Sequence, residues 1–161
     1  MRTTADRIRE LFAYAPDTGL FTRIKPVRGK SIGNIAGAVQ QNGYIYIKVD
    51  NVLYKAHRLA WLHTYGKWPS MAIDHVNGIR ADNRIINLRL ATRSQNSANS
   101  QRRKDNTSGF KGVHRLGNRW VARIQHEGMR LHLGMFETAE GAHAAYTVAA
   151  IERHSTFARV S

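Results

Sequence analysis

The sequence of 161 residues predicts an α+β fold in two parts, and three features predict it. Short runs of alternating apolar and polar residues, closed by turn residues, recur along the whole chain as in hairpin strands. Stretches with helical spacing stand among them, at residues 4–13, 56–65 and 139–153. Ser100 to Ser108, SQRRKDNTS, holds no apolar residue, so it can bury nothing and reads as a basic linker. The expected organisation is therefore a first part at 1–99, a linker at 100–108 and a second part at 109–161.

The first part opens with TADRIRELFA, Thr4 to Ala13, an amphipathic helix with Ile8, Leu11 and Phe12 on one side and a Thr or Asp cap. Pro16-Asp17-Thr18-Gly19 makes a turn, and Leu20 to Ile24 a strand. Val27 to Gly33, with Arg28 and Lys30, is a basic, glycine-punctuated loop. Gly43 to Val49 alternates strongly and is followed by Asp50-Asn51, which predicts a hairpin with Val52 to Lys55. Ala56 to Tyr65 is a helix stopped at Gly66, with Leu59, Ala60 and Leu62 on its packed side and Pro69 beyond it. His57 and Arg58 open that helix, where they serve either a phosphate contact or a structural hydrogen bond.

The stretch from Ile73 to Asn99 carries the chemistry. Ala72 to His75 reads as a short strand ending in Asp74 and His75, just before the Asn77-Gly78 turn. A loop through Arg80, Asp82, Asn83 and Arg84 leads to a second strand at Leu88 to Ala91. Thr92 and Gln95 then form a capping box, which places Asn96 early in a helix. A carboxylate and an amide oxygen are hard ligands that suit Mg²⁺, or another divalent cation such as Mn²⁺, so Asp74 and Asn96 are the metal-ligand candidates. His75 points to the opposite strand face from Asp74. Its imidazole titrates near neutrality and suits a general base acting on water.

These residues together resemble the HNH endonucleases of the phage and mobile-element, homing type, which have the ββα-metal fold. The resemblance covers about Ala56 to Asn99 through the Asp74-His75 pair, the Asn77-Gly78 turn, N-L-R-x-A-T from Asn87 and S-Q-N from Ser94. It implies Asp74 and Asn96 as metal ligands and His75 as the base. It also implies that Asn87 braces the loop and helps orient His75. The preceding helix and hairpin then support the nuclease unit.

The charge points the same way. Twenty-five Lys and Arg against 11 Asp and Glu give a net charge of +14, which favours a polyanionic partner. There is no cysteine, which removes disulfides and Cys-bound zinc. No apolar run approaches the roughly 20 residues of a membrane span, and the N-terminus has no apolar signal core. The expectation is a cytoplasmic protein of a bacterial or phage-infected cell, not secreted and not membrane-bound.

In the linker, Arg102, Arg103 and Lys104 lie where phosphates of a bound polyanion would be. Beyond it, strands are expected at Lys111 to Arg115, Arg119 to Gln125 and Met129 to Leu133, followed by a helix from Ala139 to Arg153 capped by Thr138. Alternation puts Trp120, Ala122, Ile124, Leu131 and Leu133 on an apolar face, and Arg119, Val121, Arg123, Gln125, Arg130 and His132 on a cationic one. The alanine-rich helix packs on the apolar face around Tyr146. This part resembles an AP2 DNA-binding domain over about Ser108 to Ala158, through G-F-K-G-V, R-W-V-A-R-I, L-G-M-F-E-T-A-E and A-A-Y-x-x-A-A. The resemblance implies a three-stranded sheet in the major groove of double-stranded DNA. Its candidate contacts are Lys111, His114, Arg115, Arg119, Arg123, Gln125, Arg130 and His132. The match departs from that family at Ala158-Arg159-Val160, where an Asn is usual.

Two functions follow from these readings. One is a DNA endonuclease acting through one metal and a His-activated water, placed on its target by the second part, monomeric with dimerisation left open. The other is a DNA-binding transcriptional regulator whose nuclease unit has lost activity.

Overall fold

A computed structural model describes residues 3–26, 29, 31–102 and 105–160. Arg28 and Lys30 of the basic loop, and Arg103 and Lys104, lie outside the described residues. The chain forms two compact units, Met1–Leu90 and Ala91–Ser161.

The first unit begins with α1, Ala5–Leu11, capped by Thr4, whose hydroxyl accepts from the Arg7 amide at 3.2 Å. The expected helix ran to Ala13, but the backbone turns extended at Phe12 and continues as β1, Phe12–Ala15, paired with β2, Leu20–Arg23. Packing overrides helical spacing here: on a strand Phe12 meets Phe21 edge-on at 6.2 Å, with both rings 1% exposed. A second sheet runs β3-β4-β5, from Ala38–Val39, Ile45–Val49 and Val52–Lys55. The expected β4–β5 hairpin closes through Asp50 and Asn51, both at positive φ, the backbone that two-residue hairpin turns require. The two residues of β3 were too few to leave a pattern.

Helix α2, Ala56–Tyr65, ends as expected at left-handed Gly66, whose N–H bonds to Leu62 O at 2.9 Å. It buries Leu59 and Leu62 against Ile8, Leu11, Phe12, Phe21, Ile47 and Val49. Each such side chain contributes about 1.5–3 kcal/mol on full burial. Ile73 and Leu88 complete this core from β6, Ala72–His75, and β7, Leu88–Ala91, a two-stranded pair. A 3₁₀ turn, Ile85–Asn87, leads into β7. The core thus carries the β6–β7 hairpin on its surface, which fixes the polar residues at the hairpin's end.

The second unit includes α3, Arg93–Ala98, with the expected capping box: the Thr92 hydroxyl accepts from Gln95 N at 3.2 Å, and Gln95 Oε1 accepts from Thr92 N at 2.8 Å. Helix α3 packs on the sheet and helix that follow it, so the compact units divide before it and not at 100–108. The described part of the expected linker is bonded into the second unit. Ser108 Oγ donates to Val113 O at 2.8 Å, and Asn106 Nδ2 donates to Phe110 O at 2.9 Å. Serine and asparagine side chains tie the backbone down where composition promised only a solvated spacer.

The second sheet has the order β10-β9-β8, from β8, Val113–Leu116, β9, Arg119–His126, and β10, Met129–Phe136. β8 starts later than expected because Gly112 sits at φ +74°, and a Cβ there would meet the Tyr146 ring at 2.2 Å. β10 runs past the expected Leu133 by means of a bulge between His132 and Gly134. Helix α4, Ala139–His154, capped by Thr138, packs Ala142, Tyr146, Ala149 and Ala150 against Val113, Ala122 and Ile124.

Candidate functional site

The β6–β7 hairpin delivers Asp74 and His75 at 4% and 5% exposure. The loop that follows is held by Asn87. Its Oδ1 accepts from Asn77 N at 3.0 Å, while its Nδ2 donates to Asn77 Oδ1 at 3.0 Å and to Asp82 O at 2.9 Å. Asn87 therefore has the bracing position implied for it. The side chain that reaches the His75 ring is another one, Asn83.

Asn83 is 1% exposed, and its Oδ1 lies 3.5 Å from His75 Nε2. Donation from Asn83 Nδ2 to Ala81 O at 3.2 Å fixes which way the amide faces. An amide oxygen only accepts, so Nε2 carries the hydrogen in this long contact and the lone pair of the neutral ring lies on Nδ1. Burial pushes the His75 imidazole below its ordinary range, opposed by the Asn83 bond and the Asp74 and Asp82 carboxylates and reinforced by Arg80. The ring is thus neutral near pH 7 and able to take a proton. Asn83 stood in a loop legible only for its turn residues, and nothing in its spacing singled it out.

Asp74 Oδ2 accepts from Arg89 Nε at 2.9 Å, with the arginine 19% exposed. Asp74 is a hard oxygen donor, and a cation of the Mg²⁺ kind needs only one or two protein ligands, so the residue type fits such an ion. Among the described residues no group of three or more His, Cys, Asp or Glu is placed to hold a metal. Asn96 lies on α3 in the second unit, exposed, its N–H bonded to Thr92 O at 3.0 Å.

His57 is buried, with Nδ1 lacking a hydrogen-bond partner among the described residues and its ring 5.0 Å from His75, edge to face. Burial first, then the neighbouring His75, Lys55 and Arg58 charges, push its imidazole down to about 3. A buried neutral ring packs against His75 and does not offer a phosphate a charge. Arg58 lies over the Trp68 ring at 5.7 Å. Tyr44, for which the sequence carried no signal, sits beside both histidines, 5.2 Å from His57 and 6.0 Å from His75.

Residues 54–98 match the HNH endonuclease family. The HNH match takes in the end of β5, α2, the β6–β7 hairpin and α3, and with them Asp74, His75, Asn83, Asn87 and Asn96. It supports an HNH nuclease. No curated protein matches the chain. No helix among the described residues is long and apolar enough to cross a membrane.

In the second unit the strand register sorts the expected contacts by face. Arg123 pairs with His132, Gln125 with Arg130, His114 with Val121 and Leu116 with Arg119. Arg119, Arg123, Gln125, Arg130 and His132 therefore share one face, as expected, and His114 joins them there. Burial first, then the Arg123, Arg130 and His132 charges, hold the His114 imidazole below its ordinary range. Val121 is fully buried on that face, between His114 and Met135 in the register.

Two expected contacts are placed elsewhere. Arg115 pairs with Trp120 and lies over that ring at 6.0 Å, on the α4 side of the sheet. One more residue in β8 before the turn changed its face. Lys111 turns inward: its Nζ donates to Ala98 O, and to Ser100 O at 2.8 Å, which ties down the end of α3. Burial, with Arg159 nearby, lowers its ammonium to about 8. Arg102 donates to Asn106 O at 3.3 Å and is exposed.

Proposed function

We propose that this chain is a metal-dependent DNA endonuclease of the homing type, whose HNH region cuts and whose second unit, as an AP2-like module, places it on double-stranded DNA. The observation that carries the reading is the buried Asp74-His75 pair at the end of a braced hairpin within the HNH match. His75 takes the proton of the attacking water through Nδ1, while Asn83 and Asn87 hold the ring and the loop. Asp74 and Asn96 are the ligands of a divalent cation, Mg²⁺ or Mn²⁺, a role supported by their residue types and by the motif. When bound, that ion supplies charge to the phosphate and to the leaving oxygen. The cationic face of the β8–β10 sheet positions the duplex through Arg119, Arg123 and Arg130, with Arg123 centred to read a base edge.

A nicking assay on supercoiled plasmid tests this reading. Wild type is expected to cut with Mg²⁺ and to stop with EDTA. Asp74→Ala should lose cleavage and keep DNA affinity, whereas equal loss of both would make Asp74 structural. The Arg89–Asp74 pair favours the second reading, a DNA-binding regulator that does not cut. Absence of cleavage with Mg²⁺, Mn²⁺ and other divalent ions, at undiminished affinity, would establish that reading.

A further inference from the structure

Next to His75 in the first unit is a cluster that the hairpin chemistry leaves unused. The Lys55 ammonium lies 4.3 Å and the Arg80 guanidinium 5.1 Å from the centre of the Tyr44 ring, the ring that also flanks His57 and His75. Arg80 is fixed a second time by donation from Nη1 to Asn42 O at 2.9 Å. Neither cation forms an ion pair among the described residues. Lys55 donates to no protein oxygen among them, and Arg80 has spent one of its five N–H groups. Two like charges drawn to one ring repel each other, and the quadrupole of the ring offsets only part of that. An anion within reach of both would offset that repulsion.

We infer that Lys55 and Arg80, gathered by Tyr44, grip one backbone phosphate of the DNA duplex beside His75. The inference rests on the nuclease reading and adds to it the site that seats the strand at the base. Arg80 presents its fork and Lys55 a point charge, a pairing suited to the separate oxygens of a single phosphate. Tyr44 is a positioning residue: it touches no phosphate itself and holds both cations at its ring. The neutral His57 beside the ring adds no charge of its own to the cluster.

The test is binding of the full chain to a duplex in EDTA, where no cutting occurs, at several salt concentrations. Removing one cation from a phosphate lowers the slope of log K against log salt by about 0.9. Arg80→Gln and Lys55→Gln keep their stems, and each should lower the slope by about that amount, while Arg80→Lys should restore most of it. Tyr44→Phe should bind as wild type. Tyr44→Leu should lower the slope although both cations remain, at a melting temperature shared with Tyr44→Phe. Wild-type slopes for both Gln variants would overturn the grip, whatever the nicking assay shows. Lowered slopes in a protein that never cuts would leave the grip standing and remove the nuclease reading. Where wild type cuts, Arg80→Gln should lower kcat/KM mainly through KM.

Discussion

The two units handle polar residues in opposite ways. In the first, Asp74, His75, Asn83 and Asn87 are all under 7% exposed and are bonded to one another's loops. In the second, Arg119, Arg123, Gln125, Arg130 and His132 stand exposed on a sheet face, and none of them is salt-bridged to an acid among the described residues. The contrast matches what the two proposed tasks need. A general base must keep one tautomer, one orientation and a tuned proton affinity, and burial with fixed partners gives these. A surface that binds a polyanion must keep its charges hydrated and unpaired until the partner's phosphates replace water and counterions. Lys111 and Arg115 are informative exceptions. They are cations of the second unit that were expected to meet DNA, and each is instead engaged within its own unit.

The sharpest break of this contrast is His75→Ala. Loss of a general base costs about 10²–10⁴-fold in rate, and DNA affinity should stay near wild type because the charges proposed to bind DNA lie elsewhere. A matching loss of affinity would show that the buried network also binds. In wild type the acid limb of the cleavage profile should fall below ~6.5, the ordinary imidazole value. Burial disfavours the protonated ring, so activity persists to lower pH than an exposed histidine would allow.

Asn87→Ala removes three hydrogen bonds from the hairpin loop. It should cost about 1–3 kcal/mol, since buried partners are left unsatisfied, and urea denaturation measures it. Cleavage should fall with it. A stable variant that still cuts would separate the brace from the chemistry.

Arg123→Ala should cost about 1–3 kcal/mol at a preferred site and relax the choice of one base pair. Isotherms on the preferred and a scrambled duplex decide this, and equal weakening on both would make the sheet a clamp on phosphates. Arg115→Ala sharpens the comparison from the other side of the sheet. It should lose about 0.5–1 kcal/mol of stability with the Trp120 interaction and leave the salt slope of binding unchanged. A lower slope would mean that Arg115 leaves that ring for DNA.

The smallest effect concerns Lys111. Its ammonium is held near 8 in the folded chain, below the ordinary 10.5. Between these values the unfolded chain binds more protons, so stability rises with pH there, and the cost of the charged form is fully present below pH 8. The half-exposed position keeps the effect small. Comparing wild type with Lys111→Met by denaturation from pH 7 to 10 should show a rise only in wild type, and parallel curves would mean that the ammonium is solvated.

The sequence by itself determined the elements whose signal is local. The Asn77-Gly78 turn, the Thr92–Gln95 capping box, Gly66 as the end of α2, Thr138 as the cap of α4 and the Asp50-Asn51 hairpin all stand where they were expected. Each depends on a few neighbouring residues whose backbone preferences are intrinsic. The Asp74-His75 pair was legible for the same reason, since two adjacent residues on a strand need no distant partner to be placed. What only the tertiary structure decided depends on residues far apart in the chain. Phe12 leaves its helix because Phe21 is there to meet it. Asn83, not Asn87, reaches His75 because an irregular loop folds back eight residues later. Residues 105–108 join a compact unit through side-chain bonds to backbone that composition does not encode. Lys111 turns inward because a helix end lies within its reach, and Tyr44 comes to stand beside His75 although the two are 31 positions apart in sequence. A local pattern fixes a conformation, but a functional neighbour is fixed by closure of the chain, and no periodicity records that.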